Sequence, residues 1–271
     1  MPTFSINGKT LFYQDKGAGY PLLFGHSYLW TSEMWRHQIH ALSQSYRCIA
    51  IDLWDHGKSG HLPEKPTVVE RFADDAMHLM RHLGLSEFAV IGLSVGGMWG
   101  AMLALNHARA VKALVLMDTF VGSEPEITKQ KYFAMLDQIE RQKIFSPEMI
   151  GKVVPFFFSR STFTKKPQLI ESFKQSLAEI PEENIPGIIA IGRAIFSRDD
   201  LLDRLFDLEQ PTLLLVGQDD LPRPPRESEE MAKRLPKHSL HTIKEAGHIS
   251  CLEQPELVNA LLLDFLQKHL N

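Results

Sequence analysis

The run Ala89-Val90-Ile91-Gly92-Leu93-Ser94-Val95-Gly96-Gly97 constrains this chain more than any other. Phe88 to Ile91 is short and continuously apolar, the mark of a strand buried on both faces. The strand stops at Gly92-Leu93-Ser94-Val95-Gly96, and an apolar stretch of helical spacing follows. A G-x-S-x-G sequence between a strand and a helix predicts a sharp turn that lifts a serine hydroxyl clear of a sheet. Such a turn crowds the backbone two residues before and two after the serine, which explains glycine at 92 and 96. A helix starting behind Ser94 aims free N–H groups and a positive dipole end at the space above it. The alternative reading is a glycine-rich turn that only packs closely.

A serine hydroxyl is a weak nucleophile at neutral pH, so a base and an orienting acid are needed further along the chain. Pro211 to Gly217 is a second buried-strand run, and it ends in the polar loop Gln218-Asp219-Asp220-Leu221-Pro222. Ser239 to Ile243 alternates like a strand and leads to Glu245-Ala246-Gly247-His248. Open α/β sheets hold their ligands at the carboxyl ends of strands, where Ser94, Asp220 and His248 all fall.

These features together resemble the α/β-hydrolases of the esterase, lactonase and perhydrolase group. The likeness is carried by Gly25-His26-Ser27-Tyr28, Asp52 to Gly60, Gly92 to Gly97, Pro211 to Asp220 and Ala246-Gly247-His248. It implies a mostly parallel eight-stranded sheet flanked by helices, Ser94 as nucleophile, and His248 as base. Its usual spacing, three residues past the strand's last glycine with a proline four further on, favours Asp220 over Asp219 as the acid; Asp118 is the reserve candidate. The family usually carries His-Gly-x after its first central strand, and here Ser27 replaces the glycine. By position the oxyanion donors are the backbone N–H groups of Tyr28 and Val95. His26 reads as structural, a holder of the loop.

A length of 271 residues with 44% hydrophobic content suits one domain with an insertion. A net charge of −4 gives no electrostatic footprint for nucleic acid. No apolar run approaches a membrane span, and the N-terminus lacks the charged start and apolar core of a secretory leader. Asn7-Gly8 reads instead as a hairpin turn. Cys48 and Cys251, the only cysteines, fit a reducing cytoplasm; Cys251 reads as a bystander, with redox sensing as the alternative. A monomer or small homo-oligomer acting on a small molecule is expected.

Strands alternate with helices up to Asp118, with a capping-box opening at Thr67-Val68-Val69-Glu70. From about 121 to 204 strand runs vanish, and short helical segments appear, broken at Pro147, Pro155, Pro167, Pro181 and Pro186. In the resembled fold this is a helical cap, inserted in a core formed by 1–120 and 205–271. Trp30, Trp99, Phe157 and Ile249 are expected to line an apolar pocket. The run Phe156-Phe157-Phe158 could equally be the cap's own core. Arg160, Arg193 and Arg198 read first as solvated arginines, with a fork for a substrate carboxylate as the alternative. His78 and His82 lie four residues apart, with no glutamate between them to suit a zinc site.

The expected chemistry is hydrolysis of a small carboxylic ester or lactone through an acyl-enzyme on Ser94, with no cofactor or metal. Two alternatives share the same residues: a cofactor-free perhydrolase, and a small-ligand receptor that turns over slowly.

Overall fold

The computed structural model describes residues 2–65 and 67–270; Met1, first residue of the N-terminal segment read above, lies outside them. Eight strands form one sheet in the order β1-β2-β4-β3-β5-β6-β7-β8. They are β1 (Thr3–Ile6), β2 (Lys9–Lys16), β3 (Tyr20–Gly25), β4 (Tyr46–Ile51), β5 (Phe88–Leu93), β6 (Val111–Met117), β7 (Thr212–Gly217) and β8 (His238–Ile243). The pairs β1·β2 and β2·β4 are antiparallel, and all others are parallel. Every residue of β5 and β7 is buried, as their unbroken apolar runs require. Edge strand β8 alternates and is mostly half-buried or exposed.

Eleven α-helices accompany the sheet among the described residues. Those of the first half are α1 (Arg36–Leu42), α2 (Val69–His82) and α3 (Val95–Asn106). Then come α4 (Glu126–Gln142), α5 (Pro147–Phe157), α6 (Arg160–Lys165), α7 (Pro167–Ala178) and α8 (Ile185–Phe196), all between β6 and β7. The last three are α9 (Pro225–Ala232), α10 (Ser250–Glu253) and α11 (Pro255–Leu270). None is long and apolar enough to cross a membrane.

The topology fixes where a ligand can sit. The chain runs from β3 outward to β4, then crosses back over β3 to β5. That reversal leaves a crevice at the carboxyl ends of β3 and β5. The loop Ser27-Tyr28 follows β3, and Ser94 follows β5, so both open onto it.

Two expectations need correction. Thr67 does not cap α2: the N-cap is Val68, in extended conformation and without a side-chain cap bond. Helix α2 is held instead by its buried face and by Asp75, whose carboxylate accepts from Trp54 Nε1 at 2.7 Å. Pro155 does not break a helix either, since α5 runs through it to Phe157. A proline there costs one backbone bond close to the helix end.

Candidate active site

Ser94 adopts φ 57° and ψ −119°, a conformation that costs a non-glycine residue about 1–3 kcal/mol. The surroundings impose it. Ser94 N–H donates to Met117 O at 2.9 Å, and Ser94 C=O accepts from Thr119 Oγ1 at 2.6 Å and from the N–H groups of Gly97 and Met98. A Cβ on Gly92 would lie 2.2 Å from Gly96 O, and one on Gly96 would lie 2.1 Å from Gly25 O. The glycines of the elbow therefore serve close backbone approach, as the sequence pattern implied.

The loops that carry Asp220 and His248 meet at the ends of β7 and β8. A Cβ on Gly217 would lie 2.0 Å from Gly247 O, so only glycine lets these backbones touch. His248 Nδ1 consequently stands 3.1 and 3.0 Å from Asp220 Oδ1 and Oδ2. Both side chains are almost wholly buried. Asp219 is exposed and holds only a backbone bond to Ala246. Asp118 is buried with its oxygens on Gly217 N–H and Ser250 Oγ–H, and the structure records no contact with His248. Burial, and then the nearby Asp220 charge, push the Asp118 carboxyl well up.

Among the described residues, neither Tyr28 N–H nor Val95 N–H has a hydrogen-bond partner. Their neighbours are tied down. Ser27 N–H points to Met34 Sδ at 3.4 Å, and Leu29 N–H donates to His56 Nε2 at 3.2 Å. His26 Nε2 accepts from Leu53 N–H at 2.8 Å, so its Nδ1 carries the proton and donates to Ser27 C=O at 2.7 Å. That carbonyl belongs to the peptide whose N–H is Tyr28's, so His26 sets the plane of the free donor. His56 repeats the logic, with Nδ1–H on Trp54 C=O at 2.8 Å.

Burial lowers both histidines to about 4, from an ordinary 6.5. Each is held neutral, because protonation would turn an Nε2 acceptor against a backbone N–H. Between pH 6.5 and 4 the unfolded chain binds more protons at these sites, so their contribution to stability is lost as pH falls. Urea unfolding of the protein and of His56→Gln tests this. The advantage of the histidine form at pH 7 is expected to shrink towards pH 4.5, by up to about 3 kcal/mol. An advantage that stays constant would contradict it.

A cavity of about 90 Å³ touches both Ser94 and His248. Its walls are Ser27, Tyr28 and Met98 below, and Tyr132, Leu136, Ile139, Phe156, Phe157 and Phe196 from the inserted helices. Of the expected pocket residues, Phe157 is in place, with its ring 5.7 Å from that of His248. Trp30 lines a neighbouring cavity instead, stacked on Phe173 at 4.4 Å. Trp99 and Ile249 are fully buried and line neither; the ring of Trp99 fills the space beside Gly25, under the elbow. Phe158 packs on Trp30 and Phe173, outside the cavity that touches Ser94.

Several charged groups here carried no sequence signal. Glu253 is buried; its Oε1 accepts from Gly247 N–H and its Oε2 from Ser159 N–H and Thr162 Oγ1. It ties the His248 loop to the junction of α5 and α6. Arg198 is no surface arginine: it is buried on Glu124. Arg193 pairs with Asp137 and Glu140, while Arg160 is exposed. Cys251 is fully buried and its thiol is pushed well up by burial, which removes the redox-sensing alternative.

Residues 20–255 match the family described as alpha/beta hydrolase fold. A structure of a thermophilic esterase from Thermogutta terrifontis, malate bound, superposes with a TM-score of 0.89 at 31% identity, covering 98% of this chain and 97% of the other. A non-heme haloperoxidase of Rhodococcus erythropolis is 29% identical over 275 residues, 96% of this chain and 97% of its own. The 3-oxoadipate enol-lactonase 1 of Acinetobacter baylyi is 25% identical over 252 residues, 92% and 90%. With its switch-point crevice, its strained Ser94 turn and these likenesses, the chain belongs to the α/β-hydrolase fold family.

Proposed function

We propose that the protein is a serine hydrolase of small carboxylic esters or lactones that works through an acyl-enzyme on Ser94. One observation carries the reading: a serine on a strained turn and a carboxylate-bound histidine open into the same apolar cavity. With Nδ1–H held by Asp220, His248 keeps a free lone pair on Nε2 for the Ser94 proton. Ser94 Oγ attacks the substrate carbonyl. The N–H groups of Tyr28 and Val95 take the developing oxyanion, and His26 fixes the first of them. His248 then protonates the leaving alcohol, which departs as the carbonyl re-forms. Water, deprotonated by His248, repeats the attack on the acyl-enzyme and releases the acid with free Ser94. The esterase and enol-lactonase relatives support ester and lactone carbonyls as the substrate class.

On this reading the helices between 121 and 204 are a cap, and its inner face sets acyl selectivity. A buried methylene gains about 0.8 kcal/mol, so kcat/KM on p-nitrophenyl esters should rise with acyl length and fall once the cavity is full. Phe157→Ala should move that optimum to longer chains by opening room beside His248. A lower Tm with an unmoved optimum would place the acyl group elsewhere.

The haloperoxidase relative favours one extension. Hydrogen peroxide can replace water in the second step, giving a peracid and free Ser94 with no oxidant consumed beyond the peroxide. Assay in carboxylate buffer with peroxide tests it; no peracid above the uncatalysed level would exclude it.

A further inference from the structure

Three buried charged side chains, Glu124, Arg198 and Arg223, and a half-buried fourth, Glu227, form a cluster that meets the catalytic cavity at Arg223 and takes no part in the steps above. Glu124 stands just before α4, and Arg198 just after α8, so they mark the two ends of the inserted helices. A single oxygen, Glu124 Oε2, accepts from Arg198 Nη1 at 3.1 Å and from Arg223 Nη2 at 2.6 Å. All three side chains are 4% exposed or less. The fourth group, Glu227, has its Oε2 3.5 Å from Arg223 Nη1, beyond a short hydrogen bond. Arg223 is also the residue whose backbone N–H donates to Asp220 Oδ1, at 2.9 Å. Thus one carboxylate gathers both ends of the insertion onto the loop that carries Asp220.

We propose that Glu124 is a positioning residue for the Asp220–His248 pair: by neutralising Arg223 and holding its side chain, it keeps that cation from drawing the Asp220 carboxylate off His248. The proposal rests on the serine-hydrolase reading. Arg223 needs a carboxylate, because a buried guanidinium has no water to screen it. If Glu124 is removed, the carboxylates the structure records against Arg223 are Glu227, 3.5 Å from its Nη1, and Asp220, which accepts from its backbone N–H. The titratable groups recorded around Asp220 are Asp118 on the core side and Tyr132 and Glu227 on the other, while Glu253 holds Gly247, next to His248.

Losing a negative charge and freeing Arg223 both disfavour a positive imidazole at His248. In Glu124→Gln the acid limb of the kcat/KM profile on a p-nitrophenyl ester should move to lower pH by about half a unit. Its kcat should fall about tenfold, with KM within about twofold. Glu124→Gln/Arg223→Met, which removes the freed cation next to Asp220 and restores the net charge of the cluster, should recover kcat and return the limb towards its original position. A purely structural role predicts the opposite, a double variant no better than the single. An unshifted limb in Glu124→Gln, or a double variant at or below it, overturns the proposal. If Glu124→Gln does not fold, Arg223→Met alone decides, since freeing Glu124 should move the limb to higher pH; a downward or absent shift overturns it. Labelling by a fluorophosphonate separates the two failures. Unlabelled Ser94 with no ester turnover in the unmodified protein refutes the hydrolase reading, whereas normal labelling with unshifted variants refutes only the role of Glu124.

Discussion

Ser94→Ala is expected to lower kcat for ester hydrolysis by on the order of 10⁴-fold or more while leaving the fold intact. Alanine keeps the Cβ and the strained backbone, which is fixed by Met117, Thr119 and the contact of Gly96 with Gly25. Only the nucleophile is removed. The free N–H groups of Tyr28 and Val95 remain, so the activity left should be that of carbonyl polarisation and binding alone. A fluorophosphonate should label Ser94 and no other residue, and labelling should vanish in the variant. Residual turnover within tenfold, or labelling at another serine, would refute the acyl-enzyme.

What the sequence made legible was local chemistry with a fixed spacing. The buried runs of β5 and β7 could be read because a strand covered on both faces is apolar throughout. The elbow could be read because Gly92 and Gly96 answer a steric demand five residues wide. The ends of β7 and β8 pointed to the loops of Asp220 and His248, and the resemblance to the family, with its usual spacing, singled out Asp220 from Asp219. What remained hidden lies in contacts between distant segments. Glu253 reaches Ser159 across 94 positions, and Glu124 reaches Arg223 across 99. No periodicity marks such carboxylates, so Arg198 looked like a surface residue until its partner was placed. Trp99 and Ile249 failed for a related reason. Adjacency to Ser94 and His248 in sequence says nothing of which way a side chain turns, and both turn into the core. At Val68 the buried face of α2 fixes the helix start where local capping chemistry favoured Thr67.

Asp220→Asn should cost about 10⁴-fold in kcat, far more than the same change at Asp118 or Asp219. The hydrogen bonds around Asp220 explain why so small a change is severe. Arg223 N–H donates to Oδ1 at 2.9 Å, so the amide oxygen of asparagine settles there. The amide NH₂ then takes the place of Oδ2, 3.0 Å from His248 Nδ1. The NH₂ disfavours a proton on Nδ1, and Oδ1, 3.1 Å from Nδ1, already accepts from Arg223 N–H, so the balance shifts towards the tautomer with its proton on Nε2. In that form His248 has no lone pair for Ser94. Asp118→Asn leaves that tautomer untouched, because Asp118 bonds Gly217 and Ser250 instead. Its penalty should appear as a lower Tm, with kcat within about tenfold, as expected for a buried carboxylate that braces two loops. Asp219→Asn, at an exposed position, should change neither. Measuring kcat, KM and Tm for the three variants on one p-nitrophenyl ester decides the assignment. Equal losses of kcat at Asp118 and Asp220, with equal losses of Tm, would reduce both to bracing and leave His248 without its acid.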